Sequence, residues 1–194
     1  MVTEHKVIES GRRDLAASLR QQGYCMIDRT LKATVSLGKK MDFSSLCRIP
    51  VEKHEGSFQR INEIAESSFM QDSRFMSSAD ASDEEIRQEV HARVSRMKNF
   101  YICRCKGEIA GFLELSWNEA NLIEAEISLA AVDEKYRVAG VALSLYAGVA
   151  KICQEQGVKR LWGRISARNV SVMNLYAALG ASFSLPYDIY CKEK

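Results

Sequence analysis

Val132-Asp133-Glu134-Lys135-Tyr136-Arg137-Val138-Ala139-Gly140-Val141-Ala142 is the stretch on which the reading of this chain turns. An apolar strand ends at Val132, a polar turn follows, and R-x-x-G-x-A opens a helix with almost no charge in its first half. A helix N-terminus carries unpaired backbone N–H groups and the positive end of the helix dipole. Side chains as small as Ala139, Gly140 and Ala142 let an anion approach that backbone, and a pyrophosphate is the natural guest. Alone, the pattern also suits a small-residue helix start packed on a sheet, so its neighbours decide.

Upstream, Ile123 to Val132 alternates as a strand, with Ile123, Ala125, Ile127 and Leu129 on one side and Glu124, Glu126 and Ser128 on the other. Before it, Phe100–Cys105 and Ile109–Trp117 flank the turn Lys106-Gly107-Glu108 as a hairpin. Ser82-Asp83-Glu84-Glu85 is a capping box, and Ile86, Val90, Val94 and Met97 continue its helix. Residues 57–69 read as a helix, 70–81 as a loop. Downstream, a helix over 140–156 closes at Gly157. A strand from Val158 to Ile165, a helix from Asn169 to Leu179 and a strand from Phe183 to Cys191 complete the order. Helices alternating with strands predict an α/β or α+β sheet with helices packed on it. The N-terminal stretch reads as a helix over 9–22 stopped by Gly23, then one or two strands over 24–36. That helix–glycine–strand unit echoes Leu175 to Phe183: a partial copy, or simply two amphipathic helices each ended by glycine.

A second segment follows the strand at 158–165. Asn169 is a good N-cap residue, and Tyr176 lies two helical turns beyond it on nearly the same face. A phenol with a pKa near ~10 can protonate a thiolate leaving group. The same tyrosine would equally serve as a core residue held by one hydrogen bond.

With 194 residues, 46% of them hydrophobic, the chain suits one domain plus a small lobe. Its net charge of +2 lacks the concentrated basic face of a nucleic-acid binder, so no nucleic-acid partner is expected. No apolar run approaches the ~20 residues that span a bilayer, and the polar N-terminus lacks the apolar core of a signal peptide. A cytoplasmic location without a membrane partner is the expectation. The six scattered cysteines read as reduced core residues, and no metal site is expected.

Together the two segments resemble the GNAT superfamily of acyl-CoA N-acyltransferases. Arg137, Gly140 and Ala142 match its cofactor motif Q/R-x-x-G-x-G/A; Asn169, Leu175, Tyr176 and Gly180 match N-x-x-A-x-x-L-Y-x-x-x-G-F, with Val172 in place of alanine. The resemblance covers roughly residues 56–192. It implies a GNAT fold of the α/β (α+β) class: a mixed, mostly antiparallel sheet of about seven strands flanked by helices. A small helix–strand extension over 1–50 would precede an acetyltransferase domain over 51–194.

The resemblance also implies acetyl-CoA as co-substrate, without metal, and a small-molecule amine as acceptor. Pantetheine would pair with the backbone of Ala131 and Val132. The pyrophosphate would sit beside Arg137 on the N–H groups of Val138, Ala139, Gly140, Val141 and Ala142, with Asn169 and Tyr176 on the opposite wall. Tyr176 would protonate the departing thiolate. Glu126 ranks first as acceptor of the amine's proton, ahead of Glu124 and Glu114. A narrower likeness, to dTDP-fucosamine acetyltransferases, lies in Phe69 to Phe75 and Tyr187 to Tyr190. It implies a nucleotide-linked amino-deoxysugar as acceptor, with Ser73, Arg74 and Phe75 touching it. A protein N-terminal or lysine acetyltransferase and a non-catalytic acyl-CoA-binding module are the competing readings; a homodimer is compatible with each.

Overall fold

The computed structural model describes residues 5–38, 41–70, 72, 75, 81–118, 121–137, 140–184 and 186–192. β1 (His5–Glu9) is a short strand that the sequence pattern does not reveal; it meets the expected helix only at Glu9, and α1 follows at Arg13–Gln21. β2 (Tyr24–Ser36) is one long strand with a register shift between Met26 and Asp28. After the brief β3 (Val51–Lys53) come α2 (Gln59–Phe69) and α3 (Asp83–Arg96). The capping box of α3 is present as read: Ser82 Oγ accepts from Glu85 N at 3.3 Å, and Ser82 N donates to Glu85 Oε2 at 2.8 Å. It satisfies donors that the helix start would leave unpaired.

The hairpin is β4 (Phe100–Cys105) and β5 (Glu108–Asn118). Lys106 and Gly107 both take positive φ, as a two-residue turn matched to the strand twist requires. Then follow β6 (Asn121–Val132), α4 (Val141–Glu155), β7 (Arg160–Ser166) and α5 (Val170–Ala178). The last expected strand is divided into β8 (Ser182–Phe183) and β9 (Tyr187–Lys192), with Pro186 just ahead of β9.

Nine strands form one sheet among the described residues, in the order β1-β9-β2-β7-β6-β5-β4-β3, with β8 also on β2. Every pairing is antiparallel except β6 with β7. The class is therefore as read, a mixed and mostly antiparallel α+β sheet, wider than the seven strands expected. The N-terminal strands enlarge it: β2 lies between β9 and β7. Asp188 of β9 accepts from Arg29 Nε of β2 at 2.6 Å and from Ser10 Oγ. The Arg29 hydrogen bond holds the Asp188 carboxyl below its ordinary range.

Helices cover both faces. α4 and α5 pack on one, around Val141, Leu145, Leu161, Ile165 and Tyr176. α2 and α3 pack on the other, around Ile61, Ile64, Val90, Phe100 and Phe112. The uniform alternation read for β6 does not hold across its length. Ala125 and Ile127 face α4, whereas Leu129 and Ala131 belong to the α2–α3 side. The cause is a β-bulge. Leu115 pairs with Ile127 and Glu114 with Leu129, so Ser128 is an extra residue opposite β5. One inserted residue exchanges the faces of everything beyond it.

Candidate active site

β6 and β7 run side by side only from Glu124↔Arg160 to Ile127↔Gly163. Beyond that point the two strands part. The bulge at Ser128 falls at the same place, so the strand bends where its parallel partner is lost. The gap leaves one edge of β6 without a ladder inside a continuous sheet. Asp133 N donates to Ala110 O at 2.9 Å, which directs the main chain of alternate residues toward β5. Alternation then turns the N–H and C=O groups of Ala130 and Val132 into the gap and those of Ala131 away from it. Of the two residues expected as backbone partners, Val132 turns its main chain into the gap and Ala131 turns its own toward β5.

The gap widens into a cleft of about 470 Å³ whose lining includes Ala131, Val132, Arg137, Ala142 and Asn169. Five of the expected cofactor residues are thus brought to one cavity. At its mouth, Gly140 is the N-cap of α4 with φ +74°, a left-handed conformation that costs a residue with a Cβ. The left-handed cap turns the chain sharply into the helix, whose first residues are Val141 and Ala142. Val138 and Ala139 lie outside the described residues. Opposite, Asn169 caps α5 by accepting from Val172 N at 3.1 Å.

A smaller cavity of about 70 Å³ adjoins the cleft at the point of parting and shares Phe69, Ala130, Tyr146, Asn169 and Val172 with it. Tyr176 lines it, together with Ser128. The tyrosine is 1% exposed, its ring edge-on to Tyr146 at 5.2 Å. Its hydroxyl lies over Gly163, where a Cβ would collide with Tyr176 Oη and come within 3.3 Å of Ile127 O. The missing side chain in β7 is the space the phenol occupies. Ile127 O, Gly163, Ser128 and Tyr176 Oη therefore meet at one point, the apex of the parted strands.

Other expected residues fall elsewhere. Phe75 is a correction: it is fully buried, stacked on Phe69 at 5.2 Å beneath the Arg93 guanidinium, and so cannot touch a substrate. Ser73 and Arg74 lie outside the described residues. Glu126 is half-buried one residue before Ile127, next to Ser116 on β5 and Trp162 on β7. Glu124 is tied to Arg160 Nε at 2.6 Å. Cys103 and Cys153 are buried, and burial pushes both thiols up to about 12, which keeps them protonated and unreactive. No helix among the described residues is long and apolar enough to cross a membrane.

Residues 58–181 match the Acetyltransferase (GNAT) family. The chain belongs to the GNAT acetyltransferase family. Among solved structures it resembles a GCN5-related N-acetyltransferase from Sphaerobacter thermophilus, at TM-score 0.63 and 14% identity over 97% of this chain and 59% of that one. A GNAT-family acetyltransferase from Colwellia psychrerythraea gives 0.60 and 14% over 98% of this chain and 65% of that one. A tandem GNAT protein of the clavulanic acid biosynthesis pathway gives 0.57 and 16% over 96% and 62%. The chain thus spans about three fifths of the length of these three proteins, and likeness at such identity establishes the fold. No curated protein matches by sequence.

Gly163→Ala places a methyl group against Tyr176 Oη and lowers stability by about 1–3 kcal/mol, the usual cost of overpacking. Combining it with Tyr176→Phe restores part of that loss, since the hydroxyl is the nearest obstacle. Thermal melts of the four variants read the coupling, at least about 0.5 kcal/mol for groups in contact. Strictly additive losses would place the phenol away from Gly163.

Proposed function

We propose that this GNAT protein binds acetyl-CoA in the cleft between β6 and β7 and transfers the acetyl group directly to a primary amine. The parting of the parallel β6–β7 pair, with Tyr176 at its apex and the start of α4 at its mouth, carries the reading. The pantetheine arm lies along β6 and pairs with the unladdered main chain of Ala130 and Val132. The pyrophosphate rests on the first N–H groups of α4 beside Arg137, where Gly140 and Ala142 leave room. The thioester then reaches the apex. A neutral amine attacks its carbonyl carbon while a backbone N–H of β6 close to that apex meets the developing oxyanion. The C–S bond breaks, and Tyr176 gives its proton to the thiolate. No covalent enzyme intermediate is required, in keeping with the inert thiols.

A polar pocket of about 470 Å³ adjoins the cleft, shares Ser68, Asn169 and Ser171 with it, and includes Asp28, Asp72 and Arg168 in its lining. It supports a compact polar amine as acceptor, and the sequence likeness at Phe69 to Phe75 favours a nucleotide-linked amino-deoxysugar. Thiol release with a dTDP-linked amino-deoxysugar, spermidine and a lysine-containing peptide tests this. The sugar nucleotide is expected to have the highest kcat/KM; a preference for the peptide overturns the acceptor class and leaves acetyl transfer standing.

Acetyl-CoA raises the melting temperature of the parent by mass action. Gly140→Asp abolishes that rise, because aspartate tolerates the left-handed backbone yet sets a carboxylate against the pyrophosphate. An unchanged rise in the variant would remove the cofactor from this helix start.

Tyr176→Phe keeps the ring and loses only the proton donor. Loss of a general acid costs ~10²–10⁴-fold. CoA thiolate leaves readily, so the lower end is expected, in kcat, with the KM for acetyl-CoA near the parent value. Parental kcat at saturation would make Tyr176 a packing residue.

A further inference from the structure

Glu114 is a carboxyl group in the wrong place for a purely structural residue. It lies on β5 between Phe100 of β4 and Leu129 of β6, two core residues that pair with it on either side. It is 5% exposed, and its Oε2 is buried without a hydrogen-bond partner among the described residues. An ionisable group in such surroundings costs stability to the extent that hydrogen bonds and paired charges do not offset it, and an unsatisfied buried oxygen calls for an explanation.

Its neighbours connect it to the reaction cleft. The Ser128 hydroxyl and the backbone of Asn99 hydrogen-bond to the carboxyl. Ser128 is the bulged residue of β6, and it lines the small cavity at the apex beside Tyr176. On its other side Ser128 joins Glu114 and Ser116 in lining a separate cavity of about 310 Å³ at the end of α3, bounded by Arg96, Lys98 and Asn99. Ser128 therefore lines both the small cavity at the apex and the cavity that holds the buried carboxyl behind it. Glu126, nearer the apex in sequence, lines neither cavity.

We propose that Glu114 receives the proton an acceptor ammonium must lose, handed over by the Ser128 hydroxyl, and returns it to solvent along the cavity at the end of α3. The inference rests on the acetyl-transfer reading above. The ammonium gives one proton to Ser128 Oγ as Ser128 passes its own to the Glu114 carboxylate. The freed nitrogen lone pair forms the C–N bond and the C–S bond breaks. The thiolate takes the proton of Tyr176. The nitrogen sheds its second proton to solvent, and Tyr176 recovers one from solvent. Glu114 acts through Ser128, so it is a positioning and relay group rather than one that touches substrate.

The electrostatics suit the role. Burial raises the Glu114 pKa above the ordinary carboxyl value, and the Glu126 carboxylate on β6 adds to it; the Ser128 and Asn99 hydrogen bonds and the Arg93 cation on α3 oppose it. Arg96 and Lys98 are the remaining charged groups that line its cavity. A base shifted upward toward neutral pH accepts protons most effectively there. A raised carboxyl pKa also means that stability is full below the ordinary range and falls as pH rises through the folded value.

The test compares kcat/KM against pH for the parent, Glu114→Gln, Ser128→Ala and Glu126→Gln, with whichever of the three acceptors above the parent uses fastest. Glu114→Gln should lower kcat/KM about 10²-fold near pH 7. The loss should shrink as pH approaches the amine's own pKa, where the acceptor arrives already neutral. Ser128→Ala should share that pattern, with acetyl-CoA binding parental in both. Melting curves of Glu114→Gln should lose the decline with rising pH described above. A parental profile in either Glu114→Gln or Ser128→Ala overturns the proposal, as does a loss equal at every pH, or the pattern appearing in Glu126→Gln alone. Should Glu114→Gln fail to fold, Ser128→Ala decides by the same criteria. A parent that neither binds acetyl-CoA nor releases thiol with any acceptor instead removes the acetyl-transfer reading itself.

Discussion

The interruption of the β6–β7 ladder after Ile127 and Gly163 is the constraint on which the rest of this molecule depends. Backbone donors and acceptors inside a sheet are normally paired, and leaving a row of them open is costly unless solvent or a ligand meets them. Here the open row coincides with the start of α4 on one side and the N-cap of α5 on the other. A long ligand with one anionic end and a chain able to pair with a strand matches those demands. The fold and the proposed cofactor site thus meet in a single defect of the sheet.

That defect needs a reason to persist, since two parallel strands that begin paired would be expected to continue. Three residues supply it. Ser128, as the extra residue of the bulge, bends β6 and exchanges its faces. Gly163, having no side chain, leaves room for the Tyr176 hydroxyl over β7. Tyr176, buried from α5, then lines the cavity at the apex. The phenol is buried like a core residue and yet lines the cavity at the apex, so the core-tyrosine reading and the proposed acid role are compatible with one geometry.

Much of this was legible beforehand, and the part that was not has a definite physical origin. The capping box of α3, the hairpin turn at Lys106 and Gly107, and the two motifs opening α4 and α5 are local chemistry, and local chemistry survives folding. The bulge does not announce itself, because Ser128 fits the polar side of a regular alternation as well as it fits a bulge. Gly163 offered a usable signal, a glycine inside an otherwise apolar strand, which often marks close approach of another group. Phe75 reads as an acceptor contact only through the narrower family likeness, which carries no information on burial, whereas Phe69 and Arg93 enclose it. β1 and β3 are too short and too polar to stand out, and only their partners make them strands.

The N-terminal strands also explain how a sheet can carry an opening near its middle. On one side of the gap, β6 keeps its antiparallel ladder with β5 up to Val132, paired with Gly111. On the other, β2 pairs with β7 along its whole length, from Ser36↔Arg160 to Thr30↔Ser166. Each lip of the cleft is therefore held from behind by a full partner, and the two can part without either strand fraying. Asp28 adds a second tie, accepting from Ser166 Oγ at 2.9 Å where β7 ends and the polar pocket begins. The helix–glycine–strand echo now has a structural counterpart: Gly23 and Gly180 both take positive φ, and the strands after them, β2 and β8, pair with one another. Whatever its origin, the N-terminal unit does more than decorate the fold. It supplies the backing strand for one wall of the cleft and a carboxylate to the pocket beside it.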